Sequence, residues 1–312
     1  MDRIVDIATD KLHLSAHRGF LIVEQDHSEI GRIALDDIAA VIVHAHGVTW
    51  TTNLVVKLAT RGSMMVLCAA NHAPAAMMIP VEGHHAQNAR FRAQWDAPRP
   101  MMKRAWKQIV VAKIRMQAGL LAVRGREETS ALEFLAARVR SGDSDNIEAQ
   151  AARRYWSALM GPEFRRDRAA DGANALLNYG YTVMRAMVSR SIIAAGLHPT
   201  IGLHHANRLN AFALADDLVE PFRPLVDATV RQMLDEGIED VDSMAKQRIA
   251  ALISADLDRQ GETSPVSVAA QRLAQSLAAS FEQGQLSLAL FSAPDTLSWN
   301  AIARYIPDGE IQ

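Results

Sequence analysis

The sequence predicts an α+β protein: a small N-terminal β-rich domain over residues 1–83, then a larger all-α helical bundle domain over residues 84–312. Three observations predict it. Up to Val81 the apolar residues come in short runs with turn residues between them, the pattern of strands. From Gln87 onward they fall at helical spacing in longer segments. Between the two lie Gly83, His84 and His85, and after one short helical pattern Ala97-Pro98-Arg99-Pro100 breaks the chain again.

In the first part, Ile4 to Ile7, Lys11 to Ser15, Gly19 to Glu24 and Ile30 to Leu35 read as strands. Leu12 and Leu14 alternate with Lys11, His13 and Ser15, as on a half-buried strand. Ala39 to His44 is continuously apolar and is expected to be buried on both faces. Thr51 or Thr52 can cap a helix over Asn53 to Thr60, ended by Gly62. Met64 to Cys68 is another buried strand, Asn71 to Pro74 a turn, and Ala76 to Val81 the last strand.

Everything beyond reads as helical. The expected helices are Gln87 to Trp95, Met101 to Val123, Thr129 to Arg140, Ile147 to Met160, Ala173 to Ala195, Leu225 to Asp235, Asp240 to Leu257 and Val266 to Glu282. Ser144 or Asp145 is the expected cap of the Ile147 helix, and Gly161-Pro162 its end. The long apolar Ala173 to Ala195 segment is the expected centre of the bundle.

Composition narrows the class. Hydrophobic residues at 49% with 22% charged are those of a soluble globular chain. Neither a secretory signal nor a membrane-spanning run is visible. Cys68, the one cysteine, excludes an intrachain disulfide and a cysteine-rich zinc site and fits a reducing cytoplasm. The net charge of −2 hides an asymmetry: Gln87 to Arg126 holds ten basic residues and one acid, while Gln232 to Glu262 holds eight acids and three bases. The basic run can face a polyanion or can be a solvated helix face; charge alone does not separate the two.

Chemistry concentrates between Gly202 and Asp227, which contains His204, His205, Asn207, Arg208, Asn210, Asp216, Asp217, Glu220 and Arg223. Asp217 and Glu220 are three apart and would share a helical face, so a cation or arginine is expected beside them, with Arg223 one candidate. A salt-bridged surface turn is the plainer reading. His204 and His205 diverge on a helix, so both are not expected at one metal. Glu148 lies in the first turn of its helix, where the dipole already favours it. Tyr155 follows seven positions later on the same face. Taken together, Glu148, His205 and Glu220 form a carboxylate–imidazole–carboxylate set from three elements. Such a set suits Mg2+ or Mn2+, the imidazole shifting preference toward manganese, and suits phosphodiester chemistry. Arg153, Arg154, Arg165, Arg166, Arg168, Arg208 and Arg223 are candidate backbone contacts for DNA.

Four segments carry a family resemblance: Glu148-Ala-Gln-Ala-Ala-Arg-Arg-Tyr-Trp156, Asn178-Tyr-Gly-Tyr181, Gly202-Leu-His-His-Ala-Asn207 and Asp217-Leu-Val-Glu-Pro-Phe-Arg-Pro-Leu-Val-Asp227. In order and spacing the chain resembles the CRISPR-associated integrase-endonuclease of spacer acquisition (the Cas-one family), in its type II form. The resemblance implies a catalytic metal site of Glu148, His205 and Glu220 with Asp217 close by, and Tyr155 and Asn207 in support. Glu220 stands where many relatives carry aspartate, and Trp156 where phenylalanine is common. The resemblance also implies a homodimer formed through the β-rich domain. Two such dimers would bracket a dimer of a small ferredoxin-like partner in a heterohexamer-like assembly. Free 3′-hydroxyls of a short DNA duplex would then attack phosphodiesters at a CRISPR repeat boundary by transesterification. The competing readings are a non-catalytic DNA-binding assembly subunit and a phosphodiesterase acting on small nucleotides.

Overall fold

A computed structural model describes residues 3–69, 74–205, 210–259 and 262–304. The molecule is mixed α+β, strand-rich at the N-terminus and helical beyond. In chain order the first part comprises β1 (Arg3–Ile7), β2 (Leu12–His17), β3 (Phe20–Gln25), β4 (Ser28–Ala34), β5 (Ile38–Val43), β6 (Thr49–Trp50), α1 (Thr52–Ala59), β7 (Met64–Cys68) and β8 (Pro74–Met78). They form two four-stranded sheets, β1-β5-β7-β8 and β4-β3-β2-β6. In the first sheet β1, β5 and β7 run parallel and β8 returns antiparallel. Every residue of β5 is buried, because its two faces serve two cores. Ala40 and Ile42 face the helical core, together with Ile4, Met64 and Val66. Ile38, Val41 and Val43 pack with Leu12, Leu14, Leu21 and Leu54 beneath the second sheet. Thr51 caps α1 by accepting from the Leu54 N–H at 3.2 Å. The expected turn over Asn71 to Pro74 lies, up to residue 73, outside the described residues, and Pro74 opens β8.

The helical part comprises α2 (Gln87–Trp95), α3 (Arg99–Val123), α4 (Thr129–Arg138), α5 (Ile147–Met160), α6 (Ala173–Ala194), α7 (Ala213–Leu218), α8 (Arg223–Asp235), α9 (Ser243–Ala251), α10 (Val266–Gln283) and α11 (Thr296–Ala303). Pro98 and Pro100 do not merely break a helix: Pro98 is the N-cap of α3 and Pro100 sits in its first turn, where proline lacks no needed N–H. The expected helix Asp240 to Leu257 is shorter than its pattern. It ends at Ala251, passes through a 3-10 turn (Leu252–Ser254), and gives way to a hairpin of β9 (Asp256–Arg259) and β10 (Glu262–Pro265). Leu257 is 1% exposed, so its apolar spacing was satisfied by a strand rather than a further helical turn. The expected end of α4 at Arg140 also moves inward, because Val139 is extended and buried. Among the described residues no helix is long and apolar enough to cross a membrane.

Sheet and bundle also meet through polar groups. Tyr179 of α6 donates its hydroxyl to Asp6 of β1 at 3.1 Å, and Lys246 of α9 pairs with the same carboxylate at 3.2 Å. The buried His44 ring lies against Tyr179, 5.5 Å between centroids. The Cys68 thiol, pushed up to about 12 chiefly by burial and then by Asp6, stays protonated there.

Candidate metal and nucleic-acid site

Three stretches of chain converge on one face of α3. Trp106 and Lys113 are seven residues apart on that helix, so they project from the same side. Trp106 is 1% exposed and stacks on the His204 ring at 4.5 Å between centroids. Its edge contact with His205 is at 5.7 Å. Lys113 reaches the carboxylates.

Glu148 is delivered by the start of α5. Neither Ser144 nor Asp145 caps that helix. Asp143 does: its carboxylate accepts from the Ile147 N–H at 2.9 Å and the Glu148 N–H at 3.0 Å. The cap reaches from outside the usual position because Gly142, Asp143 and Asn146 all take positive φ, folding the chain back over its own first turn.

Glu220 follows α7 at the start of a 3-10 turn (Glu220–Phe222), and Pro221 in that turn costs no hydrogen bond. Its side chain is 5% exposed. Oε1 pairs with Arg223 Nε at 3.0 Å. Oε2 lies 2.5 Å from Lys113 Nζ without hydrogen-bond geometry. The same Nζ donates to Glu148 Oε1 at 2.5 Å. One ammonium therefore bridges two carboxylates from different elements. Burial pushes the Glu220 carboxyl up, but Arg223 and Lys113 outweigh it and hold it below the ordinary range. Burial likewise pulls the Lys113 ammonium down, and Glu220 and Glu148 reverse the sign and raise it.

Asp217 and Glu220 take different partners. Wholly buried, it organises the loop that carries the histidines. It accepts from the backbone N–H groups of Leu203, His204 and His205 at 2.5, 3.0 and 3.3 Å, and binds His205 Nδ1 at 2.6 Å. Gly202 permits this wrap: a Cβ there would stand 2.8 Å from Asp217 Oδ2. Since a carboxylate only accepts, Nδ1 carries the proton and Nε2 is left as the free donor atom. That hydrogen bond is the main cause of the raised His205 pKa, against a lowering by burial. Beneath the site, Tyr155 donates to Asp227 Oδ2 at 2.7 Å, and Tyr181 donates to the other oxygen.

The remaining sequence candidates separate. Arg153, Arg154 and Arg168 are exposed. Arg165 is exposed and donates to the Pro162 and Phe164 carbonyls at 2.6 and 2.9 Å. Arg166 is engaged internally, with Asn174 at 2.9 Å and Asn178 at 2.6 Å. Arg223 is taken by Glu220 and lies 4.7 Å over the Tyr181 ring. Asn207 and Arg208 lie outside the described residues. In the sequence Lys113 is one charge of a basic run. The missed signal is its place beside Ile109, Val110 and Ile114 on an apolar face, where an unpaired lysine is rarely found.

Among the described residues no three His, Cys, Asp or Glu side chains stand arranged to hold a metal ion. The donor set nonetheless fits a hard divalent cation. Two carboxylates already share one positive centre, the buried Glu220 Oε2 lacks a well-aligned donor, and the imidazole has one nitrogen fixed and one free.

Residues 5–260 match the sequence model of the family described as CRISPR associated protein Cas1. The chain is 37% identical over 225 residues to a CRISPR-associated endonuclease Cas1 of Neisseria meningitidis serogroup C, covering 72% of this chain and 73% of the relative. It is 25% identical over 289 residues to a CRISPR-associated endonuclease Cas1 of Pyrobaculum aerophilum, covering 87% and 97%. Among solved structures, a casposase bound to integration product superposes with a TM-score of 0.78 at 18% identity, covering 92% of both chains. A Cas6-RT-Cas1–Cas2 complex gives 0.75 at 19% identity, covering 94% of this chain and 36% of that one. At those identities the superpositions speak to fold.

Proposed function

The chain belongs to the Cas1 family, and from that premise we propose that it is a metal-dependent DNA endonuclease and integrase that inserts short DNA fragments into a CRISPR array by transesterification. The observation that carries the reading is the convergence of Glu148 and Glu220 on one cationic point beside an imidazole fixed by Asp217. Relatives named as endonucleases, and a structural relative bound to an integration product, support it.

In this reading Glu148, Glu220 and His205 Nε2 hold Mg2+ or Mn2+. That ion would supply the charge needed to activate an attacking hydroxyl and to offset charge on the phosphodiester. The chain's own groups set the stage. Asp217 fixes the His205 tautomer and aims the ring. Arg223 pairs with Glu220 Oε1 and keeps the carboxylate from swinging away. Trp106 backs His204 with its flat face and meets His205 edge-on. With a DNA 3′-hydroxyl as nucleophile the outcome is strand transfer; with water it is cleavage. The exposed Arg153, Arg154 and Arg165 would meet phosphates. A homodimer through the strand-rich part, and a small ferredoxin-like partner dimer between two such dimers, complete the reading. A structural relative that is itself a Cas1–Cas2 complex supports the partner.

The test is cleavage and strand transfer on duplex DNA with manganese or magnesium, by wild type and by Glu148→Gln, His205→Ala and Glu220→Gln. Each variant should lose at least about 100-fold, the loss that even outer partners of metal ligands can reach. Unchanged activity in all three would remove the site. The closed Lys113 bridge favours one second reading, a non-catalytic DNA-binding assembly subunit. It predicts salt-dependent DNA binding with no cleavage in any divalent ion.

A further inference from the structure

We infer that Lys113 is a displaceable counter-cation: its ammonium clasps Glu148 and Glu220 in the metal-free protein and surrenders that position when the divalent ion enters. The inference rests on the proposed metal site and adds to it a residue that sets how tightly, and from what starting state, the metal is bound.

Geometry and charge carry it. The two carboxylates come from α5 and from the turn after α7, and Nζ lies 2.5 Å from an oxygen of each. The Lys113 side chain is 11% exposed and that of Glu220 5%, so water screens the pair poorly. Without the ammonium, the buried Glu220 and the partly exposed Glu148, whose side chain is 26% exposed, would face each other with Arg223, on Glu220 Oε1, as the remaining paired cation. The ammonium brings one charge and no place for a nitrogen ligand, whereas a divalent ion brings two and also accepts the free imidazole nitrogen. The occupant can leave: a lysine stem has four flexible carbons, and an ammonium is a compact charge without the fixed fork of a guanidinium. The same competition explains why carboxylates and imidazole are close yet not arranged as a ligand set. The carboxylates are drawn onto Nζ, while the His205 ring, 42% exposed, is hydrogen-bonded to Asp217 and meets Trp106 edge-on.

The experiment measures manganese binding to metal-stripped full-length protein by the EPR signal of free Mn2+. It is paired with thermal melts in chelator and in manganese, for wild type, Lys113→Met, Lys113→Gln and Lys113→Arg. Lys113→Met and Lys113→Gln should bind manganese at least about tenfold more tightly than wild type. In chelator they should melt roughly 5–10 °C lower, two carboxylates being left to face each other without the bridging ammonium, and manganese should restore most of that loss. Lys113→Arg keeps the charge and should bind no more tightly than wild type. If wild type binds manganese and the neutral variants bind it equally or more weakly, the competition is refuted while the metal site stands. If wild type binds none, both fall. Should both neutral variants fail to fold even in manganese, the inference is overturned, because the metal ought to replace the ammonium.

Discussion

Asp217 Oδ1 stands 2.6 Å from His205 Nδ1, and the same carboxylate gathers three consecutive backbone N–H groups of the histidine loop. One buried charge thus fixes both the path of the loop and the orientation of its imidazole. Asp217→Asn should uncouple them. An amide has one acceptor oxygen for four donors, and its NH2 group would face backbone N–H groups. Manganese affinity should fall by about 10–100-fold, and cleavage with it. Isothermal titration with manganese decides the matter; an unaltered affinity would show that the ring needs no such support.

Gly180 of α6 lies where a Cβ would stand 2.3 Å from Val226 Cγ1 of α8. The close approach seats Tyr181 and Asp227 opposite each other. Gly180→Ala should therefore destabilise by about 1–3 kcal/mol through overpacking. Gly180→Ala with Val226→Ala should recover part of it, since the two positions share one space. Urea unfolding of the two single variants and the double measures the coupling; simple additivity would argue against a direct clash.

How much of this could be read beforehand follows from which interactions are local. Strand β5 and helices α2, α5 and α10 appear almost where periodicity put them, because each buries a face of fixed spacing. The hairpin β9–β10 did not, since Leu257 suits either period until its neighbours are known. Glu148, His205 and Glu220 stand out in the sequence as candidate ligands, yet their side-chain partners do not. Asp217 and Glu220, adjacent on paper, serve different partners: the loop backbone and Lys113. Lys113 itself is joined to Glu148 across 35 residues of sequence and to Glu220 across far more, and no local pattern reports such a pairing. Asp143 carries no local cap signal, because it reaches a turn it does not directly precede through positive φ at Gly142, Asn146 and Asp143 itself.

Asp227 should make the protein less stable as pH rises through a defined window. Burial lifts its carboxyl from 3.8 to about 6, against the lowering from the Tyr181 and Tyr155 hydrogen bonds. A folded state that holds the proton more tightly than the unfolded chain loses stability as pH climbs between those values. The shift corresponds to up to roughly 3 kcal/mol. Asp227→Asn keeps an acceptor for one tyrosine and does not titrate. The stability of wild type relative to Asp227→Asn should therefore fall from pH 4 to pH 7, measured by urea midpoints at each pH. A constant difference would mean that the carboxyl ionises at its ordinary value.

Asp143 ties the stability of α5 to the position of Glu148. Its two oxygens accept from the N–H groups of Ile147 and of Glu148 itself, so the residue that stops the helix fraying also anchors the backbone of a proposed ligand. Asp143→Ala should cost about 1–2 kcal/mol, the range for losing a capping oxygen, read as a lower urea midpoint. It should also weaken manganese binding, because a frayed first turn lets the Glu148 carboxylate wander from Glu220. Asp143→Asn separates the two effects: one oxygen still accepts, so much of the stability should remain, while the amide group cannot satisfy both N–H donors. If Asp143→Ala lowers stability but leaves manganese affinity unchanged, the cap serves the helix alone.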